Sequence, residues 1–264
     1  MGKINLPEGI REKIEGKDYS LDYMGKSGSK VLVFDDAVLK IVKFRERNEQ
    51  IVKLMRWLEG KIPAPRVLAY EKEGEYQYLL MSKVTGRMSC DPYYMERPKE
   101  LIRVLADGMK LLWSIDISDC PRICDLDQEL KDARYRVENE QIDLEDAEPE
   151  TFGENGFKNA TELLTWLEEH RPSIEPVFSH GDYCLPNIFI EDGRLSGFID
   201  LPEAGVADKW RDIALCYRSL KHNANGIYGG PVYPGIDPNA LFDELGIEPD
   251  WDKINYYILL DELF

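Results

Sequence analysis

Between Phe178 and Asp200 the chain reads FSHGDYCLPNIFIEDGRLSGFID, and three of its side chains stand at a spacing suited to chemistry. Asp182 and Asn187 share one loop, and Asp200 ends the stretch. An amide oxygen and a carboxylate are hard oxygen ligands of the kind that hold Mg²⁺. A further carboxylate beside them can take the proton of an attacking hydroxyl. Metal ligands for nucleotide phosphates, with a carboxylate at the nucleophile, are the working parts of phosphoryl transfer.

Those side chains must be positioned by the elements around them. Asp192-Gly193 lies between the apolar runs Ile188–Ile190 and Leu195–Ile199, a strong hairpin signal. Pairing of the two arms brings Asn187 and Asp200 together at its open end. Val177 and Phe178 enter the loop as a short apolar strand. The order H-G-D-x-x-x-x-N followed by Asp matches the protein-kinase grammar H-R-D-x-x-x-x-N followed by a metal-binding Asp. His180 reads as a brace for the loop backbone, whose polar groups need partners. Asp208 reads as the N-cap of the following amphipathic helix and as a second brace of the loop.

HGDYCLPN, followed by FIDL and ADKWRDIAL, resembles the aminoglycoside phosphotransferases, and most nearly the kanamycin kinases, the 3′-phosphotransferases. WLEGKIPAPRVL, LLMS, SIDISDCP, VFSHGD and the terminal WDKINYYILLDELF extend the resemblance over nearly the whole chain. It implies an α+β, bilobal protein-kinase-like fold, with an N-terminal antiparallel-sheet lobe and a mainly helical C-terminal lobe. The expected division is 1–83 for nucleotide binding and 84–264 for catalysis and substrate binding. It also implies ATP and Mg²⁺ as cofactors, with the γ-phosphate passing to a sugar hydroxyl of an aminoglycoside. In that reading Asp182 is catalytic, and Asn187 and Asp200 hold the metal.

In Val38-Leu39-Lys40-Ile41-Val42, strand alternation puts Lys40 on one face with Val38 and Val42. A lysine among apolar neighbours is costly unless paired, and this one resembles the kinase strand lysine that binds the α- and β-phosphates. The usual helix carboxylate is missing, because Ile51 stands at its offset; Glu49 and Glu46 are the candidates, and Glu49 is taken as the partner. Gly25-Lys26-Ser27-Gly28 is not a P-loop, since the required first glycine is Ser20 and the next element reads as strand. It reads as a hairpin tip with Ser27 over the phosphates. The stretch Leu79–Val84 looks like an interlobe hinge, with backbone groups of Ser82 and Val84 facing the adenine edge. Val38 stands where the family has an aromatic on the adenine face.

From Glu138 to Glu154 the chain carries eight acids and no Lys or Arg. Such runs are commonly solvated surface, but the resemblance places substrate amines here, with Glu148, Glu150 and Glu154 as candidates. It also assigns Asp261, Glu262 and the terminal carboxylate of Phe264 to the aminoglycoside site. Two departures bear on the substrate. Pro202-Glu203 replaces the Gly-Arg expected after FIDL, and His222 stands where a substrate-facing acid is expected. The segment Asn223–Asn239, rich in Gly, Pro and Asn, reads as a long loop.

The composition fits that picture. With 264 residues and 43% hydrophobic content, the chain can bury a substantial core. The formal net charge of −17 argues against nucleic acid and suits a polycationic partner. Five cysteines without a C-x-x-C pair, beside three histidines, make zinc improbable and point to free thiols in a reducing compartment. The charged N-terminus has no apolar signal core, and no run is long enough to span a membrane, so the expectation is a cytoplasmic monomer or weak homodimer.

Overall fold

The computed structural model describes residues 6–22, 30–143, 147–148, 150–154 and 156–264. The first part of the chain forms α1 (Glu8–Ile14), β1 (Ser20–Asp22), β2 (Lys30–Val33), β3 (Ala37–Lys43), α2 (Glu46–Leu58), β4 (Val67–Glu73) and β5 (Tyr76–Ser82). There follow β6 (Arg87–Met88), α3 (Pro92–Met95), α4 (Pro98–Trp113), α5 (Leu126–Glu138) and α6 (Ala160–Glu169). The chain then forms β7 (Pro176–Ser179), β8 (Ile188–Glu191), β9 (Arg194–Phe198), β10 (Gly205–Asp208), α7 (Lys209–Ala224), α8 (Ala240–Leu245) and α9 (Trp251–Asp261).

β1 to β5 make one antiparallel sheet in the order β1-β2-β3-β5-β4. Its two faces have different tasks, and β3 shows why. Ala37, Leu39 and Ile41 are buried and pack with Ile10 and Ile14 of α1, Leu32, Tyr78 and Leu80 into a separate small core. Val38, Lys40 and Val42 point to the other face, where Val38 touches the larger core. That larger core joins Leu54, Met55 and Leu58 of α2 to the helical remainder of the chain. α4 is its axis. Pro98 starts that helix, where a missing N–H costs nothing, and Leu101, Leu105, Met109 and Leu112 are fully buried along one face. Each such side chain stabilises the fold by roughly 1.5–3 kcal/mol.

The expected antiparallel sheet and helical C-terminal part are present. The sheet part holds two helices where one was expected, and β4 was not foreseen. β4 reads VLAYEKE, half polar, because it is the edge strand, and its register slips between Val67 and Ala69. The small sheets β6-β8-β9 and β7-β10 carry the loop between them. Among the described residues no helix is long and apolar enough to cross a membrane.

Candidate active site

β8 and β9 pair antiparallel with Ile188 opposite Phe198, and the Ile199 N–H donates to the Asn187 carbonyl at 2.9 Å. The hairpin therefore sets Asn187 beside the residue that precedes Asp200. The Asn187 amide nitrogen donates to Asp182 Oδ2 at 2.8 Å and to the Asp182 carbonyl at 3.0 Å. Its amide oxygen is thereby turned away from Asp182. Asp200 has a φ of 58°, an unfavourable backbone for a residue with a Cβ, and its Oδ1 accepts from Lys40 Nζ at 3.0 Å. Lys40, Asp182, Asn187 and Asp200 are thus joined in one constellation across the two parts of the molecule.

His180 ties two of them together. Its Nδ1 accepts the Asp182 N–H at 3.3 Å and its Nε2 lies 2.9 Å from the Ile199 carbonyl. That pattern fixes the Nε2–H tautomer and makes His180 the brace expected of it. Asp208, expected as a second brace, has a different task. Its carboxylate caps α7 at the Trp210 N–H, accepts the Glu175 N–H and the Tyr257 hydroxyl, and so holds α9. The loop is held by Asp212. Fully buried, it accepts the Ser179 hydroxyl at 2.9 Å and the His180 and Gly181 N–H groups at 2.8 and 2.9 Å. Burial pushes the Asp212 carboxyl up, opposed by the nearby His180 and these donors.

Gly181 is required where it stands. Its φ is 81°, and a Cβ there would lie 2.1 Å from the Glu203 carbonyl oxygen. On the far side of the loop the Tyr183 hydroxyl donates to the Leu105 carbonyl of α4 at 2.8 Å, and Gly108 leaves room for it. The Leu185 N–H donates to Ser219 of α7 at 3.0 Å. Cys184 is inert rather than reactive: burial drives its thiol pKa well up, and the nearby Asp182 adds to the shift.

At the nucleotide end, Val38 shares the Lys40 face and lies opposite Met81 of β5. The Ser82 N–H donates to the Arg66 carbonyl, and its hydroxyl accepts the Arg66 N–H, both at 2.9 Å. The Lys83 N–H goes to Asp36. Ser82 is therefore a hinge anchor whose N–H is already used, while Val84 lies against Gly197 of the hairpin. Glu49 is not the partner of Lys40. It forms an ion pair with Lys72 of β4, on the outer side of α2. The expected phosphate contact Ser27 lies outside the described residues.

The substrate candidates divide. Glu148, Asp261 and Glu262 come together around cations of α7. Glu148 lies 2.7 Å from His222 Nε2, and its N–H donates to both Glu262 oxygens at 3.2 Å. Arg218 pairs with Asp261 and lies 3.9 Å from Glu262. Burial raises the Glu262 carboxyl to about 7 and lowers the His222 imidazole below its ordinary value. Glu148, Glu150, Arg218, Lys221 and His222 help to line a cavity of about 1210 Å³. Asp182 and Arg218 both act on the Cys184 thiol, while neither Cys184 nor Asp182 lines the cavity itself. Glu154 is exposed and off the cavity wall, and Phe264 packs on Arg136 of α5, whose guanidinium donates to the Phe264 terminal oxygen. Those two do not converge with the others.

The family model for the phosphotransferase enzyme family matches residues 24–232, which include the loop, the hairpin and Lys40. The chain belongs to this family. It is 40% identical to an aminoglycoside 3′-phosphotransferase of Enterococcus faecalis and 39% identical to one of Staphylococcus aureus, each over the full length of both chains. Among solved structures, an aminoglycoside-3′-phosphotransferase of type VIII superposes with a TM-score of 0.80 at 26% identity, over 97% of this chain and 96% of the other. An aminoglycoside phosphotransferase from Streptomyces rimosus has the same fold, with a TM-score of 0.82 at 24% identity over 96% and 95% of the two chains.

Two parts of this phosphotransferase escape a reading of its motifs. Asp212 does carry a signal: it is an acid inside the apolar stripe of Trp210, Ile213 and Ala214, where an unpaired charge would be costly. The pairing of Arg218 and His222 with the terminal acids carries none, because it depends on α7 and α9 lying side by side.

Proposed function

We propose that the chain is an ATP-dependent aminoglycoside kinase, moving the γ-phosphate to a hydroxyl of the antibiotic, the 3′-OH of a kanamycin-type drug, and so giving resistance. The observation that carries this reading is the two hydrogen-bonded pairs Asp182–Asn187 and Lys40–Asp200, linked by one hairpin, within a chain related over its full length to enzymes of that name. Residues 1–83 form the nucleotide lobe and 84–264 the catalytic and substrate lobe.

Asp182 faces the substrate hydroxyl, aligns it and takes its proton, while the Asn187 amide keeps the carboxylate pointed. Lys40 neutralises phosphate charge from the sheet side, and the Ser82 carbonyl and Val84 N–H face the adenine edge. Asn187 and Asp200 fit Mg²⁺: they are hard oxygen donors fixed by one hairpin. Among the described residues no cluster of three His, Cys, Asp or Glu side chains makes a protein-only cage, which suits an ion that shares its coordination with phosphates and water. When bound there, Mg²⁺ would offset charge on the β- and γ-phosphates. Most of the rate enhancement in this scheme comes from alignment and fixed charge rather than covalent chemistry.

A second acceptor class is favoured by one observation. Glu148 on the cavity wall is already paired with His222, and Asp261 nearby with Arg218, so a less cationic hydroxylated molecule would also fit. ATP consumption measured across kanamycin, other aminoglycosides and neutral sugars decides between them. Kanamycin-dependent turnover with phosphate on the 3′-oxygen, read by phosphorus NMR, is expected. Turnover only with weakly cationic alcohols would overturn the aminoglycoside assignment.

A further inference from the structure

A sheet lysine of this type usually shares an ion pair with a carboxylate of the adjacent helix, which orients lysine and helix together. In this chain Ile51 occupies the expected offset and Glu49 is turned to Lys72, so α2 is oriented by something else. Its C-terminal end is secured to the rest of the chain: Trp57 packs at a tilt against Phe178 of β7, 5.7 Å between ring centroids, and its Nε1 donates to Asp119 at 3.0 Å. At the first turn of α2, Arg47 pairs with Glu203. Glu203 is the residue that departs from the expected Gly-Arg.

Glu203 is itself held in the C-terminal part. Arg122 lies 3.8 Å from its carboxylate and donates to the carbonyl of Pro202, and the Arg122 side chain is only 13% exposed. The backbone of Glu203 sits on Gly181, immediately before Asp182. Three residues earlier is Asp200. We propose that Arg47–Glu203–Arg122 is an interlobe latch and that Arg47 and Glu203 are positioning residues for the phosphoryl transfer. The pair takes over from the missing helix carboxylate by fixing the first turn of α2 to the segment that carries Asp200 and abuts Asp182. This inference rests on the nucleotide-site reading given above.

The test is a double-mutant cycle with R47Q, E203Q and the combined variant, read by KM for ATP, KM for kanamycin, kcat and thermal midpoint. Both side chains are about half exposed, so the pair is a modest one and each single variant should raise KM for ATP about threefold. The combined variant should match either single. KM for kanamycin and the midpoint should stay at wild-type values, because the substrate site lies wholly in the helical part. Unchanged KM for ATP in the singles, additive losses in the double, or equal losses for both substrates with a lower midpoint would each overturn the latch. K40M measured alongside separates this from the underlying reading: wild-type ATP kinetics in K40M would overturn the nucleotide site itself, whereas an inactive K40M beside an unaffected R47Q would overturn only the latch.

Discussion

Around Ser179 to Asn187 the acids and amides are held by neutral groups. Asp212 takes two backbone N–H groups and a hydroxyl, and Asn187 reaches Asp182 with its amide. Across α7, beside the cavity, the acids are held by basic side chains: Asp261 and Glu262 by the Arg218 guanidinium, and Glu148 by the His222 imidazole. The first arrangement fixes geometry while leaving the charges of Asp182 and Asp200 for the reacting groups and Lys40. The second keeps several acids close together in a partly dry place, but spends part of their attraction inside the protein. A rigid loop suits the step in which positions matter to fractions of an ångström; a compensated wall suits recognition of ligands that bring their own cations.

If that contrast is right, the loop should break sharply and the wall should yield by degrees. Gly181→Ala should be the most damaging structural change. It forces a side chain into a left-handed backbone and onto the Glu203 carbonyl, for a loss of about 3 kcal/mol in urea unfolding, with activity falling in parallel. Wild-type stability would show that the loop adjusts freely. Asp212→Asn comes next. It removes a charged acceptor from three donors and should cost about 2 kcal/mol, again with turnover affected more than KM for either substrate.

Around Arg218 and His222 the expected effects are smaller and depend on pH. The Glu262 carboxyl, raised by burial to about 7, takes up a proton as pH falls from 8 toward 6. His222, lowered by burial, becomes cationic only below its ordinary value of about 6.5. Both changes subtract negative charge, so KM for kanamycin should rise a few-fold as pH falls through this range, while KM for ATP stays level. The same Glu262 shift contributes to stability in the opposite sense. A carboxyl raised in the folded state stabilises the fold fully below its unfolded pKa near 4.5, and that contribution is lost as pH rises through about 7. Glu262→Gln should flatten both trends. A KM for kanamycin that does not respond to pH would remove these acids from the recognition surface.

The same contrast explains what could be read in the sequence. The loop was legible because its parts are close in the chain: Asp182, Asn187 and Asp200 are joined by a single hairpin whose Asp-Gly turn announces itself. Lys40 was legible by strand alternation, and its position on the Val38 face is as expected. Its partner was not, because choosing between Glu49 and Asp200 depends on which side of α2 faces the sheet and on a contact 160 residues away. Asp208 and Asp212 differ by one helical turn, and only the docking of α9 decides which of them faces the loop. The acids at Glu148 and Glu262 were found by resemblance, but their pairing with α7 cations is a property of packing that local pattern does not encode.

The central claim is that Asp182 acts on the acceptor hydroxyl within a preformed nucleotide site, and Asp182→Asn tests it most directly. Phosphoryl transfer to kanamycin and equilibrium binding of ATP would be measured on the same preparation. The account predicts a fall in kcat of about 10³-fold, with ATP affinity and thermal midpoint unchanged. Turnover close to wild type, or a loss of activity explained entirely by lost ATP binding, would contradict it.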